Sequence, residues 1–172
     1  VARVRQVSIA MFVAMAAEGA WRVYGSRPTV AEYLASRQVN SFWPCLVLID
    51  PIGGYEVPAN MYSQPAVHRV TVLASLATTL VNDMYSAYKE HMNEVGTFKL
   101  PYLLAAQHQC SLQEAIERIA DIHDAVMLDY EAAERALNVD APPLLKRYLA
   151  GLNAWVAGNL EWHKHSARYH AE

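Results

Sequence analysis

The sequence predicts an all-α protein. Apolar residues recur at three- and four-residue spacing through several long segments, and two capping boxes, Thr29-x-x-Glu32 and Ser111-x-x-Glu114, mark helix starts. No segment alternates apolar and polar residues for long enough to make a strand. Residues 1 to about 24 read as an apolar helix that ends at Gly25, with Pro28 just beyond it. A second helix starts at Thr29. It is interrupted around Asn40-Ser41-Phe42-Trp43-Pro44, because Pro44 has no backbone N–H to donate. A short apolar piece follows, and Pro51, Gly53, Gly54 and Pro58 then mark a loop. One long helix is expected from about Pro65 to His91, carrying Val67, Val70, Leu73, Leu76, Leu80 and Met84. A loop over Asn93 to Pro101 leads to a short helix over Tyr102 to Gln109. The second capping box then opens a helix to about Leu137. Asp140 and the Pro142-Pro143 pair begin the last long helix, from Pro143 to Trp162 or beyond.

The 172 residues suffice for a single domain with a sizeable core. A hydrophobic fraction of 53% against a charged fraction of 18% argues against disorder. The net charge of −3 gives no reason to expect nucleic acid or an anionic membrane as partner, so an anionic ligand must be captured by a few local basic groups. Cys45 and Cys110 stand in no metal-ligand spacing and read as reduced, largely buried thiols of a cytoplasmic protein. No apolar run reaches a membrane span, and the stretch from Val7 to Ala20 carries Glu18 between flanking arginines, unlike a signal peptide. The chain opens inside a helical pattern without an initiator Met, which predicts further residues ahead of Val1.

The chemistry concentrates in the segment from Val81 to Glu90. Asn82, Ser86 and Glu90 are spaced i, i+4, i+8 and drift only about 40° per step around a helix, so they share one narrow stripe. An amide carbonyl, a hydroxyl and a carboxylate are hard oxygen donors suited to Mg²⁺. Lys89 beside them could place its ammonium on a phosphate. A solvated polar face is the ordinary reading of such spacing. Here the surrounding helix is apolar nearly all round, and a buried polar stripe costs free energy unless it is paired or binds something.

This segment, Asn82-Asp83-x-x-Ser86-x-x-Lys89-Glu90, resembles the second metal motif of bacterial class I terpene cyclases, N-D-x-x-S-x-x-(K/R)-E. The resemblance implies that Asn82, Ser86 and Glu90 hold one Mg²⁺ and that Lys89 contacts a diphosphate. Two further stretches agree. Arg37-Gln38-Val39-Asn40-Ser41 is similar to the family's diphosphate sensor, linker and effector, which would be Arg37, Asn40 and Ser41. The Ser41 carbonyl would face the substrate, next to the expected helix break, where carbonyls lack partners. Trp155-x-x-Gly158-Asn159-x-x-Trp162, followed by Arg168-Tyr169, resembles the last core helix and the terminal Arg-Tyr pair, whose guanidinium and hydroxyl would bind diphosphate.

The matches imply that residues 1–172 are the C-terminal part of a single class I terpenoid synthase α-helical bundle. The implied activity is Mg²⁺-dependent ionisation of a prenyl diphosphate followed by cyclisation of the carbocation, with three Mg²⁺ in the whole enzyme and one held here. Phe42, Trp43 and Trp155 are candidate pocket aromatics, their ring faces able to attract a cation, with plain core packing an equal reading. Pro28-Thr29-Val30-Ala31-Glu32-Tyr33-Leu34 and Gly53-Gly54-Tyr55-Glu56 look like the branch of the family that makes 2-methylisoborneol from 2-methylgeranyl diphosphate. Other monoterpene or sesquiterpene cyclases, using geranyl or farnesyl diphosphate, are the alternative within the family.

The family's aspartate-rich first metal motif is missing. Asp121 and Asp124 lack its doubled Asp and read as polar-face residues, so this piece alone is not expected to cyclise anything. A di-iron bundle would need paired Glu-x-x-His motifs, which are lacking. His163, His165 and His170 bunch at the C-terminus and read as a solvated tail. A non-catalytic helical interaction domain would leave the Asn82/Ser86/Glu90 stripe without a purpose. The sequence leaves product, chain length and oligomeric state open, a homodimer included.

Overall fold

The computed structural model describes residues 2–91 and 98–169, with side chains for 3–87 and 98–169. Among the described residues the protein is helical throughout, without strands. The elements are α1 (Ala2–Tyr24), α2 (Val30–Asn40), α3 (Trp43–Leu46), α4 (Ile49–Ile52), α5 (Ala59–Tyr62), α6 (Pro65–His91), α7 (Leu100–His108), α8 (Leu112–Asn138) and α9 (Pro143–His165). Both capping boxes form: Thr29 and Ser111 each accept from the backbone N–H three residues on, while Glu32 and Glu114 reach back to the cap. Gly25 ends α1 in the left-handed region at φ 62°, which a side chain would disfavour.

The expected interruption of α2 falls at Ser41–Phe42, just ahead of Pro44. Pro44 sits in the first turn of α3, where a missing N–H leaves no ladder bond unmade. The stretch expected to be an apolar piece and a loop contains the three single-turn helices α3, α4 and α5. Helix α7 begins two residues before the expected start, because Pro101 also serves as a first-turn residue. Among the described residues Cys45 and Cys110 are free thiols, each partly buried.

Helix α6 is the axis of the molecule, packed against α2, α3, α7, α8 and α9. Its N-terminal half meets Leu46, Tyr130, Tyr148, Leu149 and Leu152 through Val67, Val70 and Ala74. Further along, Leu80 joins Tyr33, Leu100, Leu103, Leu104 and Ile119 in a second core cluster. Burial on several sides explains why its sequence is apolar nearly all round. Its buried threonines satisfy themselves: Thr71, Thr78 and Thr79 each donate to a carbonyl one turn back. Asp121 and Asp124 are exposed on α8, the expected polar face.

Candidate metal and diphosphate site

The C-terminal half of α6 presents the polar stripe. Asn82 is half-buried and Ser86, one turn on, is buried among the apolar neighbours of the helix. The side chains of Lys89 and Glu90 lie outside the described residues, although α6 runs through both positions.

From α2 comes Arg37. Its Nη2 donates to Asn82 Oδ1 at 3.1 Å and to Asp83 Oδ1 at 3.2 Å. One turn earlier on the same face, the Tyr33 hydroxyl donates to the same Asp83 oxygen at 3.0 Å. The Thr29 capping box sets this register, since it starts α2 where Tyr33 and Arg37 both turn toward α6. Asp83 is 1% exposed, and among the described residues its buried Oδ2 has no hydrogen-bond partner. Burial pushes its carboxyl above the usual range, against the pull of the Arg37 and Lys99 charges and the Tyr33 hydroxyl. Asp83 stands in the motif without a role of its own there. Its place beside Asn82, on the helix flank turned to α2, was the available signal.

From α9 comes His163. Its Nδ1 lies 2.7 Å from the Asn159 carbonyl and its Nε2 lies 3.1 Å from Asn82 Nδ2. A carbonyl can only accept and an amide nitrogen can only donate, so the ring is the neutral Nδ1–H tautomer. Burial likewise pushes the imidazole below its ordinary value. His163 is thus no part of a solvated tail. It is fully buried, because it continues the inward stripe of α9 that runs through Leu145, Tyr148, Leu152 and Asn159. That periodicity was the missed signal. His165 is exposed, and His170 lies outside the described residues.

Beyond α9 the chain turns on Ser166, with Tyr169 N–H donating to the Ser166 carbonyl at 3.0 Å. The turn stacks the Tyr169 ring on His163, with centroids 4.9 Å apart at 26°. Asn82 Nδ2 donates to the Tyr169 hydroxyl at 3.0 Å. Arg168 is exposed, its guanidinium 5.7 Å from the Tyr169 ring centroid. Arg37, Asn82 and Tyr169 therefore meet, with Arg168 beside them.

The other expected residues are placed as follows. Ser41 caps α2, its N–H donating to the Arg37 carbonyl at 3.1 Å, and among the described residues no backbone N–H donates to its own carbonyl. Asn40 turns to α1 and donates to Glu18 at 3.2 Å. Phe42 and Trp155 pair edge-to-face, 5.9 Å between centroids. Trp43 does not join them. It packs on His68, 5.2 Å away, and lines a separate cleft of about 820 Å³ with Arg3, Asp50, Tyr55 and Tyr62.

The donor set suits a hard divalent cation. Both Asn82 Nδ2 hydrogens are directed to His163 and Tyr169, which leaves Oδ1 as an acceptor, and it already accepts from a cationic group, the Arg37 guanidinium. Among the described residues no three His, Cys, Asp or Glu side chains converge as a cage. Mg²⁺ would rely on the amide and hydroxyl oxygens of α6, the Glu90 position and its ligand's phosphates.

The sequence of residues 1–129 matches the family model described as terpene synthase family 2, C-terminal metal binding. The chain belongs to terpene synthase family 2. Within it, the 2-methylisoborneol synthase of Streptomyces lasalocidi is 42% identical over 149 residues, 86% of this chain and 31% of that protein. The 2-methylisoborneol synthase of Saccharopolyspora erythraea is 39% identical over 170 residues, 98% of this chain and 48% of its own length. The fold matches the crystal structure of 2-methylisoborneol synthase from Streptomyces coelicolor A3(2) in complex with Mg²⁺ and 2-fluoroneryl diphosphate, with a TM-score of 0.89 and 38% identity. That superposition covers 98% of this chain and 52% of the other. The chain thus spans about a third to a half of the relatives it matches. Among the described residues no helix is long and apolar enough to cross a membrane.

Proposed function

We propose that residues 1–172 are the C-terminal part of a Mg²⁺-dependent cyclase that ionises 2-methylgeranyl diphosphate and closes the carbocation to 2-methylisoborneol. The observation that carries the reading is the Asn82 amide, held from one side by His163 and Tyr169 so that its oxygen faces the Arg37 guanidinium. Asn82, Ser86 and Glu90 would hold one Mg²⁺ of three, and the remaining two would be held by an aspartate-rich motif outside this chain. When bound, the metal supplies Lewis acidity that neutralises charge on the departing diphosphate.

The chain's own residues supply the rest. Arg37, Lys89 and Arg168 place positive charge on phosphate oxygens, and the Tyr169 hydroxyl donates a hydrogen bond. Asn40 links Arg37 to Ser41, whose carbonyl dipole stabilises positive charge developing on the allylic carbon. Phe42 and Trp155 present ring faces to the carbocation and keep water from it. Trp43, on the separate cleft, is assigned no contact with the cation. The relatives named 2-methylisoborneol synthase, at 39% to 42% identity, support the choice of methylated substrate.

The test is incubation of the full-length protein with geranyl, 2-methylgeranyl and farnesyl diphosphates, with volatiles identified by mass spectrometry. The methylated substrate should be turned over best and should yield 2-methylisoborneol. Equal or better turnover of geranyl diphosphate would remove the substrate assignment.

A further inference from the structure

We infer that His163 is a positioning residue for the metal site, fixing the amide of Asn82 so that its oxygen, not its nitrogen, is presented to the cation. This inference rests on the reading of Asn82 as a metal ligand and adds a residue that the family motif does not contain.

An asparagine amide can be turned over end for end, at little intrinsic cost, to exchange its oxygen and nitrogen. A metal ligand must not do so, because the nitrogen carries two hydrogens and no available lone pair. Something has to specify the orientation. His163 does this through its tautomer. The Nδ1–H is committed to the Asn159 carbonyl at 2.7 Å, one turn back along α9. This leaves Nε2 with a lone pair and no hydrogen, 3.1 Å from Asn82 Nδ2. If the amide turned over, its oxygen would face that lone pair with no proton between them, and the nitrogen would face the Arg37 guanidinium. Both contacts would become repulsive. The backbone carbonyl of Asn159 therefore dictates, through one imidazole, which atom of Asn82 faces outward. Outer-shell partners that orient a ligand in this way contribute about 10- to 100-fold to metal affinity.

His163 is fully buried and wedged among rings. Trp162 meets it at 4.8 Å and 87°, Tyr85 at 5.5 Å and 46°, and Tyr169 stacks on its face. The imidazole cannot rotate away without displacing the Tyr169 ring, whose hydroxyl takes the second Asn82 hydrogen. The same residue thus seats the C-terminal Tyr169 and orients the α6 amide.

The test uses the full-length protein with His163→Gln, His163→Asn and, as control, Asn82→Ala. A glutamine side chain can put a carbonyl oxygen where Nε2 stands, whereas asparagine stops short of Asn82. The readout is the Mg²⁺ concentration that half-saturates binding in the presence of inorganic diphosphate, by calorimetry, with the Tm of the metal-free protein recorded for each variant. We expect His163→Asn to raise that concentration about tenfold or more, and His163→Gln to remain within about threefold of wild type. Equal midpoints in wild type and His163→Asn would overturn the inference, as would equal damage from Gln and Asn. If His163→Asn does not fold, a displaced midpoint in His163→Gln would overturn it. An unchanged midpoint in Asn82→Ala would instead remove the metal reading itself, which separates the two failures.

Discussion

Arg37→Ala tests the α2–α6 contact through stability alone. The Asp83 side chain is 0% exposed and that of Arg37 14%, with 3.2 Å between them. Removing the guanidinium leaves Asp83 with the Tyr33 hydroxyl on Oδ1 and an Oδ2 that already lacks a partner. Removing one member of a buried pair costs about 3 to 5 kcal/mol. Arg37 keeps some contact with solvent, so the lower end, about 3 kcal/mol, is the appropriate figure. Asp83→Asn should cost less, about 1 to 2 kcal/mol, because an amide in the same place needs no counter-charge. The double variant should recover about 1.5 kcal/mol or more relative to the sum of the single changes. Burial raises the folded pKa of Asp83, and loss of Arg37 raises it further, so the folded state binds the proton more tightly than the unfolded one. The Arg37→Ala deficit should therefore be smallest at acidic pH, grow as pH rises through the raised folded value of Asp83 in the wild type, and level off above the still higher value in the variant. Urea unfolding of the full-length protein at several pH values measures all of this. A deficit under about 0.5 kcal/mol, or strict additivity in the double variant, would refute the coupling.

Thr29→Ala and Ser111→Ala each remove an N-cap and should lower stability by about 1 kcal/mol in urea unfolding. The cap hydrogen bonds hold Glu32 and Glu114 below the usual carboxylate range, so their contribution is complete above that range and lost as pH falls through the lowered folded values. The difference between wild type and the capless variants should shrink on acidification. Gly151→Ala would drive a Cβ into Ile49 Cγ2, so it should destabilise by about 1 to 3 kcal/mol despite alanine's better helix propensity. Leu80→Ala, at a fully buried position between α6 and its neighbours, should cost about 2 to 5 kcal/mol by the same assay.

Local rules made the fold legible. The capping boxes at Thr29 and Ser111 and the proline at 143 act within one turn, and the helices they open begin where the sequence puts them. The single-turn helices α3 to α5 were not legible, because four residues carry no periodicity and Pro44 and Pro51 read as breakers until their first-turn placement is known. At the site, Asn82 and Ser86 could be read from helical spacing, and Arg37 from its resemblance to a sensor. The burial of His163 was legible in the α9 periodicity and Asp83 stood beside Asn82, but their roles were not legible, because they depend on partners 81 and 46 residues away. Trp43 illustrates the reverse case. Adjacent to Phe42 in sequence, it points to a different cleft, since neighbours at a helix start diverge by about 100°.

In the function proposed above, the Asn82 amide oxygen is a metal ligand in a diphosphate-ionising site. The most direct test of that role is Mg²⁺-dependent diphosphate release by the full-length protein under single-turnover conditions, with Asn82→Ala compared with wild type at matched Tm. Loss of diphosphate release, not recovered by raising Mg²⁺ within the range that saturates wild type, is the predicted result. Release by the variant at the wild-type rate and Mg²⁺ midpoint would contradict it.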